Sequence, residues 1–463
     1  MINSDIICAI STPPGMGALA IIRLSGKGSI GLTDKIFKSP SGKKLTDAPA
    51  NSANFGRIIG DNNEILDEVL ATVFHAPHSF TGEESVEISC HGSVYIQQKL
   101  VELLMQEGAR LAQAGEFTQR AFKNGKFDLS QAEAVADLIS SESKASHRVA
   151  MNQMRGGFAR KLADLRDKLL QFASLIELEL DFSEEDVEFA NRDHLSELIE
   201  EIDKKIETLA NSFRLGNAIK SGIPVAIIGE TNAGKSTLLN LLLNEEKAIV
   251  SDIHGTTRDV IEDIVNINAV TFRFIDTAGI RHTTDVIETM GIERTYQKIE
   301  QASIVLWMID ITTTIDIEVL ATLITPRLQD KHVIILFNKA DLADSEKQTY
   351  FESLLPELEA ERLFISARHQ KNTDRLQEIL VKAAGIPSIG EDDVIVTNLR
   401  HYEALKKALE AIKRVKEGLD IGITHDFLAQ DIRECMFYLG EITGQISTDE
   451  ILGNIFSKFC IGK

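Results

Sequence analysis

The stretch Pro224-Val-Ala-Ile-Ile-Gly229-Glu-Thr-Asn-Ala-Gly-Lys-Ser236 decides the fold of the middle of this chain. An apolar run precedes the glycines, and a leucine-rich helical run follows them at residues 237–243. This order predicts a strand, a phosphate-binding loop and a helix, which is the context that a P-loop requires. An ordinary glycine-rich turn between a strand and a helix is the alternative interpretation of this motif alone.

Each of these residue types has a specific role in binding the phosphates or Mg²⁺. Gly229 and Gly234 allow a backbone turn whose N–H groups face phosphate. Lys235 can reach the β- and γ-phosphates, and the Ser236 hydroxyl can bind Mg²⁺. The stretch therefore predicts a magnesium-dependent nucleoside triphosphatase with a doubly wound, mostly parallel sheet.

Two further motifs follow in the order that a GTPase requires. Asp276 and Gly279 bracket Asp-Thr-Ala-Gly, where the aspartate can hold a magnesium-bound water and the glycine N–H can face the γ-phosphate. Asn338 and Asp341 bracket Asn-Lys-Ala-Asp, whose last carboxylate can accept hydrogen bonds from the N1–H and the amine of guanine. Adenine offers no such donor pair, so the sequence predicts GTP rather than ATP.

The polar stretch at residues 251–259 is the candidate switch, because it can order over the γ-phosphate and supply Thr257 to Mg²⁺. A plain hydrophilic connection is the alternative interpretation. Ile280 stands where many small GTPases place a water-orienting glutamine, so another residue has to position the water. Glu288 is a candidate, although its chemistry alone favours a solvated surface glutamate.

No arginine in the P-loop offers positive charge between the β- and γ-phosphates, and a monovalent cation can replace it. An oxygen cage for K⁺ is predicted from the Asn232 side chain and the backbone near Ser251 and Ile253. The full set of predicted GTP contacts is Asn232, Ala233, Gly234, Lys235, Ser236, Thr237, Ser251, Asp252, Ile253, His254, Gly255, Thr256, Thr257, Asp276, Thr277, Ala278, Gly279, Asn338, Lys339, Asp341, Ser366, Ala367 and Arg368.

The composition is that of a multidomain globular protein. A length of 463 residues suggests about three domains of ~150 residues each. The net charge of -21 means that a nucleic-acid partner has to meet a local basic patch. The four cysteines form no C-x-x-C pair, and no apolar run approaches the length of a membrane span. These features predict a cytoplasmic location and no membrane partner.

Periodicity divides the chain into four segments. Residues 1–126 alternate short strand-like runs with turns, which predicts an α+β domain. Residues 127–220 and 389–463 show helical periodicity and flank the nucleotide segment at residues 221–388. The simplest arrangement packs the two helical halves together as one all-α domain, with the GTPase domain inserted through a surface loop. The predicted class is therefore multidomain α/β.

The chain resembles the tRNA-modification GTPases of the MnmE or TrmE family along nearly its whole length. The signatures are Ala-Pro-His-Ser-Phe-Thr-Gly-Glu at 76–83, Gly-Glu-Phe-Thr-Gln-Arg-Ala-Phe at 115–122, Asp-Leu-Ser-Gln-Ala-Glu-Ala at 128–134, Gly-Thr-Thr-Arg-Asp at 255–259 and Phe-Cys-Ile-Gly-Lys at 459–463. Thr231 and Ser251 are mild departures, since proline and threonine are usual at those positions.

The resemblance implies a homodimer through the N-terminal domains and a heterotetramer with an FAD-binding protein of the MnmG or GidA kind. Together they add a carboxymethylaminomethyl group to the wobble uridine of certain tRNAs. It also implies that K⁺ stimulates hydrolysis by dimerising the GTPase domains, with Asn232, Ser251, Ile253 and Thr256 at the potassium positions. Glu288 matches the catalytic glutamate of the family, which outweighs the surface interpretation.

The resemblance further implies that residues 1–126 bind a tetrahydrofolate derivative, 5-formyl or 5,10-methylene, at the dimer interface. Arg23, Glu87 and Lys126 match folate contacts, and Lys463 follows in the tail. The tail also fits a prenylation pattern poorly, and a frayed terminus or a small buried cysteine at position 460 are open alternatives to a role at the folate site. A regulatory GTPase of the ribosome-assembly type, without modification chemistry, is the rival hypothesis for the whole chain.

Overall fold

The structure is a computed structural model that describes residues 5–181, 192–246, 262–268, 270–275, 296–313, 317–386, 390, 393–421, 423, 425–446, 449–457, 459 and 462. The chain divides into two compact units. The first unit comprises Met1–Ala136, Gln153–Lys204 and Ala404–Lys463, and the second comprises Asp137–Asn152 and Lys205–Glu403.

Among the described elements, strands and helices are interspersed at residues 7–111 and 223–384, and only helices occur at residues 116–221 and 399–456. In chain order the elements are β1 (Ile7–Ile10), β2 (Leu19–Ser25), α1 (Ser29–Ile36), β3 (Phe37–Lys38), β4 (Ser52–Ile59), β5 (Ile65–Phe74), β6 (Ser85–His91), α2 (Val94–Gln106), β7 (Arg110–Leu111), α3 (Glu116–Lys123), α4 (Leu129–Ile139), α5 (Lys144–Met154), α6 (Gly157–Asp181), α7 (Arg192–Asn211), α8 (Phe213–Ser221), β8 (Ile223–Gly229), α9 (Lys235–Glu246), β9 (Asp263–Ile267), β10 (Val270–Phe274), β11 (Ile304–Asp310), α10 (Ile317–Ile324), β12 (His332–Asn338), α11 (Ser345–Glu352), β13 (Glu361–Phe364), α12 (Thr373–Ala384), α13 (Leu399–Ile421), α14 (His425–Thr443) and α15 (Asp449–Phe456).

The first unit contains a seven-stranded sheet with the strand order β3-β4-β5-β6-β2-β1-β7. Its neighbours are antiparallel except for β1 and β7, which run parallel. Alternate residues of the strands, such as Ile22, Leu24, Val86 and Ile88, are fully buried against α1 and α2. One face of this sheet therefore builds the core, as period-two patterning predicts.

The helices of the first unit bury apolar faces, as the helical periodicity of the sequence predicts. The Asp128 carboxylate accepts a hydrogen bond from the Gln131 N–H at 2.9 Å, and the Gln131 side chain accepts one from the Asp128 N–H at 3.0 Å. This reciprocal pair caps the start of α4. The apolar stripe of α6, which includes Leu162, Leu165 and Phe172, is buried, and α6 packs against α14.

The second unit contains the predicted doubly wound sheet, with the strand order β13-β12-β11-β8-β10-β9. All neighbouring strands are parallel except the edge pair of β10 and β9. Val225 and Ile227 of β8 face a core formed with α9 and α12, whereas Ala226 and Ile228 face a core formed with α10 and α11. Helices therefore cover both faces, so the alternation of strand and helix in the sequence predicts this layer correctly.

The two chain segments that flank this sheet lie against each other within the second unit. The Val396 N–H donates to the Ser212 hydroxyl at 3.0 Å, and the rings of Phe213 and Tyr402 stack with centroids 4.5 Å apart. A β-carbon added to Gly216 would lie 2.0 Å from the Val396 carbonyl oxygen. A glycine is therefore required for this close approach of α8 to residues 393–398.

Among the helices of the part of the chain that the structure describes, none has the length and the apolar character needed to cross a bilayer.

Candidate functional site

The P-loop joins β8 to α9, and its two glycines lie where other residues cannot. Gly229 and Gly234 have φ values of 139° and 101°, in the region that favours glycine. A β-carbon would lie 2.1 Å from the Met308 carbonyl oxygen at Gly229, and 2.2 Å from the Asn338 side-chain nitrogen at Gly234. The loop is therefore pressed against β11 and β12, which leaves its backbone free to face a ligand.

The ammonium of Lys235 lies at the start of α9, inside this loop. It donates to the Gly229 carbonyl oxygen at 2.7 Å and also to the Glu230 carbonyl oxygen. Burial lowers the pKa of Lys235 from its usual 10.5 to about 8, and the positive charge of Lys298 adds to that effect. A bound phosphate group would place an anion next to this ammonium and favour its charged form.

We expect GTP binding near pH 8 to take up a proton at Lys235. Its pKa of about 8 is depressed in the folded chain, so the amine is neutral above that pH, and a triphosphate raises the pKa by favouring the charged form. The uptake should be about half a proton per GTP at pH 8. Calorimetry in buffers of different ionisation enthalpy measures it. Lys235→Arg, whose guanidinium stays charged, should bind GTP without that uptake, and equal uptake by both proteins would contradict the assignment.

Asn338 connects the P-loop to the loop at residues 366–368. Its amide nitrogen donates to the Ala233 carbonyl oxygen at 2.7 Å, and its amide oxygen accepts from the Ala367 N–H at 3.0 Å. Asn338 is only 4% exposed, so both bonds are shielded from water. The phosphate loop and the predicted base loop are therefore held together by one side chain.

The carboxylate of Asp341 lies at the edge of this arrangement. A hydrogen bond from the Ser366 hydroxyl holds the pKa of Asp341 below its usual value, and the charges of His369 and Arg368 add smaller effects. The His369 ring nitrogen lies 3.6 Å from that carboxylate. Asp341 is therefore ionised at neutral pH and acts only as a hydrogen-bond acceptor, which suits the donor edge of guanine.

Lys339 lies between Asn338 and Asp341 in the sequence, and it pairs with a carboxylate outside the GTPase motifs. Its backbone is left-handed, with a φ of 65°, and its ammonium donates to the Asp310 carboxylate at the end of β11. Burial alone would raise the pKa of Asp310, but hydrogen bonds from Lys339 and Thr312 lower it. The ion pair is thus a fixed part of the site.

The structure brings together part of the predicted nucleotide set. Asn338 is hydrogen-bonded to Ala233 and Ala367, and Ser366 is hydrogen-bonded to Asp341. Lys235 and Lys339 bond to residues outside the predicted set. The other described members, Asn232, Gly234, Ser236, Thr237 and Arg368, lie on the same P-loop, helix α9 and base loop. The predictions that lie outside the described residues concern Ser251, Asp252, Ile253, His254, Gly255, Thr256, Thr257, Asp276, Thr277, Ala278, Gly279, Glu288, Cys460 and Lys463.

A second candidate site lies on strands β2 and β6 of the first unit's sheet. Arg23 and Glu87 are directly opposite each other on β2 and β6, and the Arg23 guanidinium contacts the Glu87 carboxylate at 2.8 and 2.9 Å. The same guanidinium lies 5.2 Å from the centroid of the Phe80 ring and 5.7 Å from that of Phe117. A partly exposed ion pair next to the ring of Phe80 suits a flat heterocycle with polar edges.

Lys126 approaches this site through the loop that carries Phe80. Its ammonium donates to the Pro77 carbonyl oxygen at 3.1 Å, and Phe80 contacts the ring of Phe127 with centroids 5.7 Å apart. Lys126 is exposed, so its ammonium remains accessible to a ligand. The three predicted residues Arg23, Glu87 and Lys126 are therefore linked through one aromatic loop.

The C-terminal segment also reaches this sheet. Phe456 of α15 packs against Leu129 and Phe122, and the Gly462 carbonyl oxygen accepts a hydrogen bond from the Ser11 hydroxyl at 3.2 Å. A β-carbon at Gly462 would lie 2.4 Å from the carbonyl oxygen of Ile10, at the end of β1. The tail is therefore held beside the strand that pairs with β2.

Two family models match this chain, and together they span it. The MnmE helical domain matches residues 129–460, and the N-terminus of the GTP-binding protein TrmE matches residues 6–126. The tRNA modification GTPase MnmE of Bacteroides thetaiotaomicron is 58% identical over 466 residues, which cover 100% of both chains. The chain belongs to the MnmE family. It is therefore a GTP-hydrolysing enzyme of tRNA modification with a multidomain α/β architecture.

More distant similarities extend this comparison. The MnmE protein of Flavobacterium johnsoniae is 51% identical over 467 residues, again across 100% of both chains. A crystal structure of Aquifex aeolicus Era bound to GDP and aluminium fluoride is 34% identical, covers 40% of this chain and 65% of that chain, and gives a TM-score of 0.27.

Sequence reasoning missed several residues at the two sites of this MnmE-family chain. Asp310 lies in no motif, although an acidic residue that ends a wholly apolar strand is a signal that could have been followed. Arg120 was read only as part of a signature, yet it contacts Asp5, Glu83 and Glu116 and is 7% exposed. This buried network fixes the loop of Phe80 to α3, and only the tertiary structure reveals it.

Proposed function

We propose that this chain hydrolyses GTP to drive the addition of a carboxymethylaminomethyl group to the wobble uridine of certain tRNAs. It works in this proposal as a homodimer and in a heterotetramer with an FAD-binding protein of the MnmG or GidA kind, in the cytoplasm. Membership of the MnmE family supports the tRNA-modification role. The partner's flavin handles the redox chemistry, and a tetrahydrofolate derivative supplies one carbon.

The observation that carries this proposal is the double hydrogen bond of Asn338 to Ala233 and Ala367. It ties a phosphate-binding backbone to a base-binding loop, with the ionised Asp341 at the same edge. A pocket of this kind can select the base while it holds the triphosphate. The triphosphate would bind to the P-loop and the base to the loop at residues 366–368, and Asn338 joins these two loops.

The residues present fit the two metal ions that this proposal requires. The Ser236 hydroxyl lies in the first turn of α9, next to Lys235, and is proposed with Thr257 as the magnesium ligand pair. Asn232 has a left-handed backbone with a φ of 68° and an exposed side chain, so its amide oxygen is available for K⁺ together with Ser251, Ile253 and Thr256. When bound, the two cations stabilise the charge that develops on the phosphates.

The aromatic-lined ion pair of Arg23 and Glu87 fits the proposed folate derivative, 5-formyl- or 5,10-methylenetetrahydrofolate. A carboxylate can accept hydrogen bonds from the amine and amide edge of a pterin, and cations can hold the glutamate tail. Lys126 is one such cation, and Lys463 is proposed as another because Gly462 lies against β1. In this proposal the site is completed at the homodimer interface.

We propose that the chain forms three domains from four segments. Residues 1–126 form an α+β folate-binding and dimerisation domain, residues 127–220 and 389–463 together form a helical domain, and residues 221–388 form the GTPase domain. The boundary at 126 agrees with the end of the N-terminal family model. The mostly parallel sheet of β8 to β13 supports the assignment of residues 221–388 to nucleotide binding.

Cells that lack this chain should lack the modified wobble uridine, and the wild-type chain should restore it. We expect Arg23→Met to lose most of the modification while the purified protein keeps its GTPase rate, because it removes the cation that pairs with Glu87 next to Phe80. Arg57→Met is the matched control, since Arg57 forms an exposed cross-strand pair with Glu68 in the same sheet. Mass analysis of tRNA nucleosides measures the modification.

Two results would count against the proposal in different ways. Persistence of the modified uridine in cells without the chain would remove the tRNA-modification role and favour a regulatory GTPase. Full modification by the Arg23→Met protein would instead remove only the folate assignment at Arg23 and Glu87.

A further inference from the structure

Asp310 is a buried carboxylate beside the nucleotide motifs. It ends β11 directly opposite Asn338, and its side chain is 5% exposed. One carboxylate oxygen accepts the Thr312 N–H at 2.9 Å and the Thr312 hydroxyl at 2.6 Å, and the other oxygen accepts the ammonium of Lys339. A buried carboxylate is unfavourable unless it is paired and hydrogen-bonded, so this contact strongly constrains where the lysine ammonium can lie.

Lys339 is fixed at both ends of its side chain. Its backbone follows β12 in a left-handed conformation, with φ and ψ of 65° and 33°, which lysine adopts only when its surroundings impose it. Its ammonium is held by Asp310, and its side chain is still 35% exposed. The methylene stem between these two fixed points is therefore an ordered apolar surface in the loop that also carries Asp341.

The ion pair of Asp310 and Lys339 also gives Lys235 and Lys339 different roles in the nucleotide site. Within the part of the chain that the structure describes, the Lys235 ammonium bonds to two carbonyl oxygens and to no carboxylate, which suits it to phosphate. The Lys339 ammonium is already neutralised by Asp310, so it adds little attraction for phosphate. What Lys339 can contribute to a bound nucleotide is contact along its stem, on the side of the pocket where the base lies.

We infer that Asp310 is a positioning residue for base recognition, which holds the ammonium of Lys339 so that the lysine stem forms a wall against the purine bound by Asp341. The inference deepens the proposed guanine site and rests on it. It assigns a role in nucleotide specificity to a residue outside the GTPase motifs, at the end of the neighbouring strand β11.

A double-mutant cycle on the full-length chain tests this role. Lys339→Met keeps a stem of similar length but removes the ammonium that Asp310 holds, so GTP affinity should fall about tenfold or more. Asp310→Asn keeps the shape of the side chain and removes the charge that holds the ammonium, so GTP affinity should fall as well. The double variant Asp310→Asn with Lys339→Met should bind GTP about as weakly as the weaker single variant, since either change alone already removes the contact that holds the stem.

Binding of magnesium tripolyphosphate separates base positioning from a general structural effect. This probe has no base, so Lys339→Met and Asp310→Asn should bind it within about twofold of wild type if the pair acts on the purine. Calorimetry measures both ligands, and thermal unfolding verifies that each variant is folded. The matched control is the exposed pair of Lys382 and Glu361, at which Lys382→Met and Glu361→Gln should leave GTP affinity unchanged.

Three results would overturn the inference. The two single penalties could add in the double variant, GTP and tripolyphosphate affinities could fall together, or Lys339→Met could bind GTP as wild type does. A wild-type chain that binds ATP as tightly as GTP would instead remove the guanine site itself, and the inference with it. The outcome for the wild-type protein thus distinguishes failure of the proposed site from failure of the role of Asp310.

Discussion

Replacing Asp341 by asparagine is expected to move the nucleotide preference of this chain from guanine to xanthine. The ionised carboxylate accepts hydrogen bonds from two guanine donors, and the hydrogen bond from Ser366 keeps the pKa of Asp341 low enough for it to remain ionised. Asparagine offers one acceptor and one donor, which matches xanthine because xanthine has a carbonyl where guanine has its amine. GTP affinity should fall on the order of 10²–10³-fold, while XTP affinity should rise.

Competition between GTP and XTP for a labelled nucleotide measures this change directly. Asp344→Asn is the matched control, because Asp344 caps α11 by accepting a hydrogen bond from the Lys347 N–H and asparagine caps equally well. That control should bind both nucleotides as wild type does. If both affinities fell equally in Asp341→Asn, Asp341 would have a structural role rather than a role in base recognition.

Replacing Glu288 by alanine is expected to lower the turnover number for GTP by about 10²–10³-fold with little change in GTP affinity. The proposed role of Glu288 is to orient the attacking water, and Ile280 offers no hydrogen bond for that task. An interaction made only in the transition state lowers turnover without weakening ground-state binding. Single-turnover hydrolysis and equilibrium binding of a slowly hydrolysed GTP analogue separate the two quantities.

Glu378→Ala provides the control for this experiment, because Glu378 is exposed on α12. It should leave both turnover and affinity unchanged. Unchanged turnover in Glu288→Ala would exclude Glu288 as the water-orienting residue. A loss of affinity that matches the loss of turnover would instead assign Glu288 to nucleotide binding.

The nucleotide site could be predicted from the sequence wherever local chemistry dictates the structure. Gly229 and Gly234 are needed because their φ values and close contacts exclude a side chain, and a strand followed by a helix is visible in the alternation of apolar residues. The acceptor at Asp341 follows from the donor pattern of guanine. These features depend on short stretches of chain, and the structure shows the described ones where the sequence predicts them.

Contacts between distant segments could not be predicted in the same way. The bonds that Asn338 makes to Ala233 and Ala367 join residues 105 and 29 positions away, and their geometry depends on how β8, β12 and β13 are ordered in the sheet. The pairing of Asp310 with Lys339 depends likewise on the register of β11 with β12. Register is a tertiary property, and a one-residue shift would turn these side chains to the other face.

At the site in the first unit, too, some features could be predicted from the sequence and others required the tertiary structure. The family resemblance predicts a folate role for Arg23 and Glu87, whereas their residue types alone favour ordinary surface charge. The antiparallel pairing of β2 with β6 makes them direct neighbours, and the rings of Phe80 and Phe117 lie near Arg23. The roles of residues 251–257 and 276–288 remain predictions, since they lie outside the described residues.

The glycine at position 216 has a consequence for how the nucleotide-binding segment can be exchanged. Because α8 and residues 393–398 touch, the chain leaves for this sheet and returns from it at nearly the same point. A segment whose ends are neighbours can be replaced by a short bridge with little loss of chain entropy, and a homologous segment of another length can be grafted in its place. Any larger residue at position 216 would separate those ends and so remove this modularity.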